Sequence, residues 1–177
     1  VTTTEPIEPT DFRWTLPRKR MAAGALLFDE DGRILLVEPT YKPYWEIPGG
    51  VVEADESPHT AACRELKEEL GLVRSLLPLL TVDWVPPHDG RPEAMLFVFD
   101  GGEMSAEEIA GITVPSEELH GWRFCTPAEA AQLLKPAQGR RVAASLDARA
   151  ANEVVYLENA STLDSPGQQA EPLGPKR

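Results

Sequence analysis

The stretch SPHTAACRELKEELG at residues 57–71 constrains this chain more than any other. Ser57 before Pro58 is a helix start, since serine can accept from a free N–H of the first turn and proline suits the first helical position. Gly71 stands where a left-handed C-terminal cap is wanted. The roughly four turns between them carry two stripes. Ala62, Cys63, Leu66 and Leu70 fall on one side, which asks to be buried. Glu65, Glu68 and Glu69 fall on a neighbouring stripe, with Arg64 and Lys67 interleaved. The fold must supply an apolar layer for one side of this helix while three carboxylates collect on another.

Those carboxylates have two readings. At about 5.5 Å apart, two of them repel by roughly 0.8 kcal/mol in water and about 3 kcal/mol at an effective dielectric near 20. An exposed helix tolerates the smaller figure, and Arg64, four residues before Glu68, relieves part of it. In a cleft the larger figure applies, and a hard divalent cation would turn repulsion into coordination. The helix alone favours an ordinary solvated face. The residues before it point the other way. WEIPGG at residues 45–50 ends a short apolar segment in a glycine turn, where a backbone carbonyl can approach a metal or a phosphate. Glu56 lies just outside the helix, in the favourable field of its N-terminus.

Around this segment the pattern alternates strands and helices. Residues 21–28 and 33–37 flank Asp29-Glu30-Asp31-Gly32 and read as a hairpin. Residues 76–85, 94–99 and 121–125 read as further strands, the second apolar without alternation and so covered on both faces. An acidic connection fills 101–118. Helices are expected at 127–134 and 138–151, and a late edge strand at 153–157. The class is therefore α/β or α+β with a mixed sheet. Residues 1–17 read as a partly flexible arm, 18–159 as the folded domain and 160–177 as a disordered tail.

Composition narrows the function. No run approaches the roughly 20 apolar residues of a membrane span, and the polar start predicts no signal peptide. Cys63 and Cys125 form no CxxC pair, so neither a disulfide framework nor a structural zinc site is expected. His59, His88 and His120 show no metal-ligand spacing. The expectation is a reduced, cytoplasmic domain. A net charge of −12 argues against bulk nucleic acid as a partner, although a few cations beside a divalent metal still admit a small phosphorylated substrate.

Residues 50–72, GVVEADESPHTAACRELKEELGL, resemble the Nudix box. Gly50, Glu56, Arg64, Glu65, Leu66, Glu68, Glu69, Gly71 and Leu72 meet each of its fixed positions, a spacing far more specific than a lone glycine motif. The resemblance, to Nudix hydrolases of the MutT-like or ADP-ribose pyrophosphatase-like kind, implies an α/β/α sandwich with a mixed sheet. It implies Mg²⁺ or Mn²⁺ on Glu65, Glu68 and Glu69, helped by a backbone carbonyl near Gly49 or Gly50. Arg64 would orient a carboxylate and Glu56 would support the metal site. The implied reaction is hydrolysis of a pyrophosphate linkage in a nucleoside diphosphate derivative, of ADP-ribose or nucleotide-sugar type. A nucleoside triphosphate pyrophosphohydrolase and a ligand-sensing module without turnover are the alternatives. The general base is Glu65 in the box, or Glu117 or Glu118 on the loop before residues 121–125. Lys42 and Arg20 are candidates for substrate phosphates, and Trp84 and Tyr41 for stacking on a base. Trp45 is better read as core, and Cys63 as a buried small hydrophobe. The arm permits strand exchange in a homodimer.

Overall fold

Strand β1 (Arg20–Phe28) is the axis of the fold, because three other strands pair with it. The structure, a computed structural model, describes residues 12–76 and 78–163. Along one edge, β5 (Ala94–Glu103) runs parallel to β1 over its whole length. The other edge is forked. β2 (Ile34–Pro39) pairs with β1 where Phe28 faces Ile34, and β3 (Gly49–Val51) takes over at Ala22, Ala23 and Gly24. The chain at 46–51 crosses the wedge between them: Glu46 bridges Val37 of β2, and Gly49 faces Gly24 of β1. With β4 (Leu79–Val85), β6 (Leu119–Cys125) and β7 (Val155–Glu158), the described residues form a seven-stranded mixed sheet in the order β6-β2-β1-β5-β4-β7, with β3 at the fork.

Alternation along β1 feeds two cores. Ala23, Ala25 and Leu27 pack under α1 (Pro58–Leu70), against Ala61, Ala62, Leu66 and Leu70. Leu26 and Phe28 face the opposite layer, where they meet Ala130 of α3 (Pro127–Leu133) and Val142 and Ala148 of α4 (Pro136–Ala151). This is the expected α/β/α sandwich. The hairpin turn forms as expected, with the buried Asp29 carboxylate accepting from Asp31 N–H at 3.1 Å and Arg33 N–H at 2.8 Å.

Four details differ from the sequence reading. Residues 49–51, read as the end of a turn, are a strand. The connection at 101–118 holds the end of β5 and a short helix, α2 (Ala106–Ala110), whose capping box joins Ser105 and Glu108. The fully buried partner of Ala62 on α1 is Ala61, and Cys63 is only half-buried, its Sγ 4.0 Å from His59 Nδ1. The chain is still anchored at Ala160, which is buried and donates its N–H to both Asp83 oxygens at 3.0 and 3.1 Å. The rest of the expected tail, 164–177, and residues 1–11 of the expected arm lie outside the described residues. Phe12–Thr15 is a 3-10 turn. No described helix is long and apolar enough to cross a membrane, and both cysteines are free thiols.

Candidate active site

Helix α1 sets its two stripes against two different neighbours. Ser57 caps it by accepting from Thr60 N–H at 3.1 Å, and Gly71 closes it in the left-handed conformation. The apolar stripe faces β1. On the acidic stripe, Ala61 lies one turn ahead of Glu65 and is fully buried, Glu65 and Glu69 are half-buried, and only Glu68 is exposed. This stripe is therefore no solvated face.

Arg64 gathers the carboxylates around it. Its Nε donates to Glu56 Oε1 at 3.0 Å and its Nη2 to Glu56 Oε2 at 3.1 Å, a two-point contact. Nη1 donates to Glu65 Oε1 and Glu68 Oε2, each at 2.8 Å, and Nη2 reaches the Val51 carbonyl at 3.0 Å. The guanidinium holds the Glu56 carboxyl below the usual carboxylate range. Burial pushes Glu65 up against the pull of Arg64.

Glu69 is held differently. Its Oε2 accepts the Gly49 N–H at 2.8 Å. Burial pushes its carboxyl up to about 8; the negative charges of Glu65, Glu46 and Glu118 add to this, and the Gly49 N–H opposes it. Two glycines make room for these contacts. Gly49 has φ +144°, and a Cβ there would meet the Ala23 carbonyl oxygen at 2.4 Å. A Cβ at Gly50 would meet Glu65 Oε1 at 2.3 Å.

The loop candidates separate. Of the two, Glu118 makes its charge felt at both Glu65 and Glu69. Lys42 sits at the rim, its Nζ 2.6 Å from Glu46 Oε2, and Glu46 Oε1 accepts from Gln138 Nε2 of α4 at 3.1 Å. Arg20 and Trp84 are engaged with the β4–β5 connection instead. Arg20 Nη2 donates to the Pro92 carbonyl at 3.2 Å, and Trp84 Nε1 to Glu93 Oε2 at 3.0 Å. Trp84 does share one row of the sheet with Met95 and Met21, on the face that carries α1. Tyr41 is exposed, with Lys42 Nζ 4.9 Å from its ring centre. Trp45 packs against the core under α3 and α4, as expected.

The model of the NUDIX domain matches residues 18–146, most of the chain. The chain belongs to the NUDIX family. Among its NUDIX relatives is an RNA pyrophosphohydrolase of Gluconacetobacter diazotrophicus, 38% identical over 79 residues, covering 40% of this chain and 47% of that protein. Another is an ADP-ribose pyrophosphatase of Methanocaldococcus jannaschii, 35% identical over 91 residues, covering 48% of this chain and 54% of that protein. The chain thus spans about half the length of these curated relatives. A solved UDP-X diphosphatase shares the fold with a TM-score of 0.64 at 20% identity, over 80% of this chain and 68% of that one.

Among the described residues, no group of three His, Cys, Asp or Glu side chains is arranged to hold a metal ion. The expected convergence of Glu65, Glu68 and Glu69 is not met as they stand, because Arg64 draws the first two and the Gly49 N–H the third. The donor chemistry of the NUDIX box nonetheless fits a hard divalent cation. It offers carboxylate oxygens, a Glu69 carboxyl raised by burial and like charge that a cation would relieve, and a cradle at Gly50 that a Cβ would fill. Glu46 is the site residue that sequence reasoning passed over. Its signal is a lone carboxylate between Trp45 and Ile47, three positions before Gly49.

Proposed function

We propose that this NUDIX domain is a hydrolase that splits the P–O–P linkage of a nucleoside diphosphate derivative, of ADP-ribose or nucleotide-sugar type, releasing a nucleoside monophosphate. The observation that carries this reading is the half-burial of Glu65 and Glu69 against the glycines of β3, with Arg64 binding Glu56, Glu65 and Glu68 beside them. Glu65, Glu68 and Glu69, with the Gly50 backbone alongside, would hold Mg²⁺ or Mn²⁺, which would neutralise the phosphoanhydride and make a bound water more acidic.

The chain's own residues do the rest. Glu118 takes the proton of the attacking water, since its charge reaches Glu65 and Glu69 and no hydrogen bond or ion pair ties its carboxylate among the described residues. Glu65, bound to Arg64 at 2.8 Å, suits a holding role better than that of base. Arg64 keeps three carboxylates in register, and Lys42, fixed by Glu46, supplies a cation for substrate phosphate. Trp84 offers an aromatic face on the α1 side of the sheet. The net charge of −12 favours a small substrate over an RNA chain.

A screen of ADP-ribose, nucleotide sugars, dinucleoside polyphosphates and nucleoside triphosphates, with Mg²⁺ and with Mn²⁺, tests the reading. The expected result is release of a nucleoside monophosphate from a diphosphate-linked substrate, lowered at least about a hundredfold in Glu69→Gln. Unchanged turnover in that variant would sink the metal assignment. The likeness to a putative 8-oxo-dGTP diphosphatase of Bacillus subtilis, 33% identical over 92 residues, favours a second reading, a nucleoside triphosphate pyrophosphohydrolase; preference for triphosphates in the same screen would establish it. Binding of ADP-ribose without turnover of any compound would mark a sensing module.

A further inference from the structure

The turn that carries Glu118 is tied to β2 in an unusual way. β2 ends at Pro39, which faces Leu119 of β6 across an irregularity in the ladder between Glu38 and Pro39. Proline has no N–H, so the ladder lacks a donor where the two strands part. Thr40 supplies two in its place. Its N–H donates to the Glu118 carbonyl and its hydroxyl to the Glu117 carbonyl, each at 2.9 Å. On the inner side of the turn, the N–H groups of Glu118 and Leu119 both donate to the Pro115 carbonyl, at 3.0 and 2.9 Å. The Glu118 peptide is thus held from within by its own turn and from without by Thr40. The loop that begins at Thr40 is closed at its far end by the Val37–Glu46 bridge, so Thr40 does not ride on a free segment.

We propose that Thr40 is a positioning residue for Glu118, holding its turn against the carboxylates of α1 through two donors to successive carbonyls. This rests on the reading of Glu118 as the group that takes the proton of the attacking water. The side chain of Thr40 touches no reacting atom; it fixes the backbone from which the Glu118 side chain reaches the box. Thr40→Val keeps the backbone N–H and the branched shape and removes only the hydroxyl donor.

The first measurement needs no substrate. Amide hydrogen exchange over residues 115–119 should speed up about threefold to tenfold in Thr40→Val, the range set by one net hydrogen bond, and return in Thr40→Ser. Unchanged protection overturns the proposal. The second uses ADP-ribose with Mg²⁺ in single turnover. Thr40→Val should slow the chemical step about threefold to tenfold with KM within about twofold of the parent, and Thr40→Ser should restore it. In a Glu118→Gln background the same change should cost nothing further, because the two residues act as one unit. An equal loss in both backgrounds overturns the role of Thr40 and leaves Glu118 as base. A Glu118→Gln variant at the parent rate overturns the base reading itself and this proposal with it, whereas no turnover of ADP-ribose fails the substrate reading and leaves hydrogen exchange to decide.

Discussion

Glu69 is the residue on which burial, charge and function conflict most directly. Its carboxyl is pushed up to about 8, chiefly by burial. A carboxyl raised in the folded state stays protonated between the unfolded and folded pKa values, so folding is favoured below that window and weakened as pH rises through it. The metal-free protein should therefore lose stability between about pH 4.5 and pH 8 on account of this group, relative to Glu69→Gln. Each tenfold change in proton affinity is worth about 1.4 kcal/mol; discounted for the remaining exposure, the gap above pH 8 should be on the order of 2 kcal/mol. Urea unfolding of both proteins across this range, in the presence of a chelator, measures it. A gap that does not widen with pH refutes the burial of Glu69. The same variant should lose turnover, so that stability and activity move in opposite directions. At this scale the sequence was legible where spacing is local: the nine positions of the box lie within 23 consecutive residues. Glu46 and Glu118 were harder to weigh because their place at the site comes from pairing across the sheet. Glu118 is 78 positions from Thr40, and nothing in the local pattern ranks it above Glu117.

Among the elements, α1 and β3 form the working pair, and their two glycines make opposite predictions. In Gly50→Ala the new methyl would lie 2.3 Å from Glu65 Oε1, the far end of a flexible side chain that can swing away. That variant should melt within a few degrees of the parent, since a surface-type perturbation is usually worth about 0.5 kcal/mol or less, but should bind Mn²⁺ more weakly by calorimetry. In Gly49→Ala the methyl would lie 2.4 Å from the Ala23 carbonyl, and φ of +144° is strained for any side chain. That variant should be destabilised by about 3 kcal/mol in thermal or urea unfolding. Equal stability of the two would refute the close packing of β3 on β1. Helix α1 could be read from its caps and periodicity, and most strands to within a few residues. β3 was hidden because Pro-Gly-Gly has the composition of a turn, and only its pairing with β1 makes it a strand. Helix α2 was announced by Ser105 and Glu108 at capping-box spacing, a local signal overlooked within an acidic stretch.

The whole molecule is held on its other side by a buried ion pair. Asp83 of β4 is fully buried, and its Oδ2 accepts Arg141 Nε at 2.8 Å and Nη2 at 2.6 Å from α4, while the Ala160 N–H completes its shell. One carboxylate thus joins sheet, helix and the turn after β7. Removing one partner strands the other charge, so Arg141→Met should cost about 3–5 kcal/mol in urea unfolding, whereas a double change of Asp83 and Arg141 to apolar residues of similar volume should recover much of it. A cost no larger than that of an exposed ion pair would show that the pair is solvated. No sequence pattern announces this contact, because its three members lie far apart in the chain and Asp83 and Arg141 are ordinary residue types for a surface. The layer order could be inferred from the sequence, but this pin could not.

The fork in the sheet bears on how a NUDIX domain of this build can take on different substrates. Both banks of the wedge are hydrogen-bonded to β1, and the chain at 46–51 stitches one bank to the other. The width of the reaction centre is therefore a property of the ladder itself, set at folding and unavailable for adjustment to larger or smaller substrates. Adaptation has to occur in the segments that leave this frame, at 41–45 and 86–93, which carry Lys42 and the partners of Arg20 and Trp84. These two segments are modular: exchanging them between relatives should transfer substrate preference while the reaction centre stays as it was built.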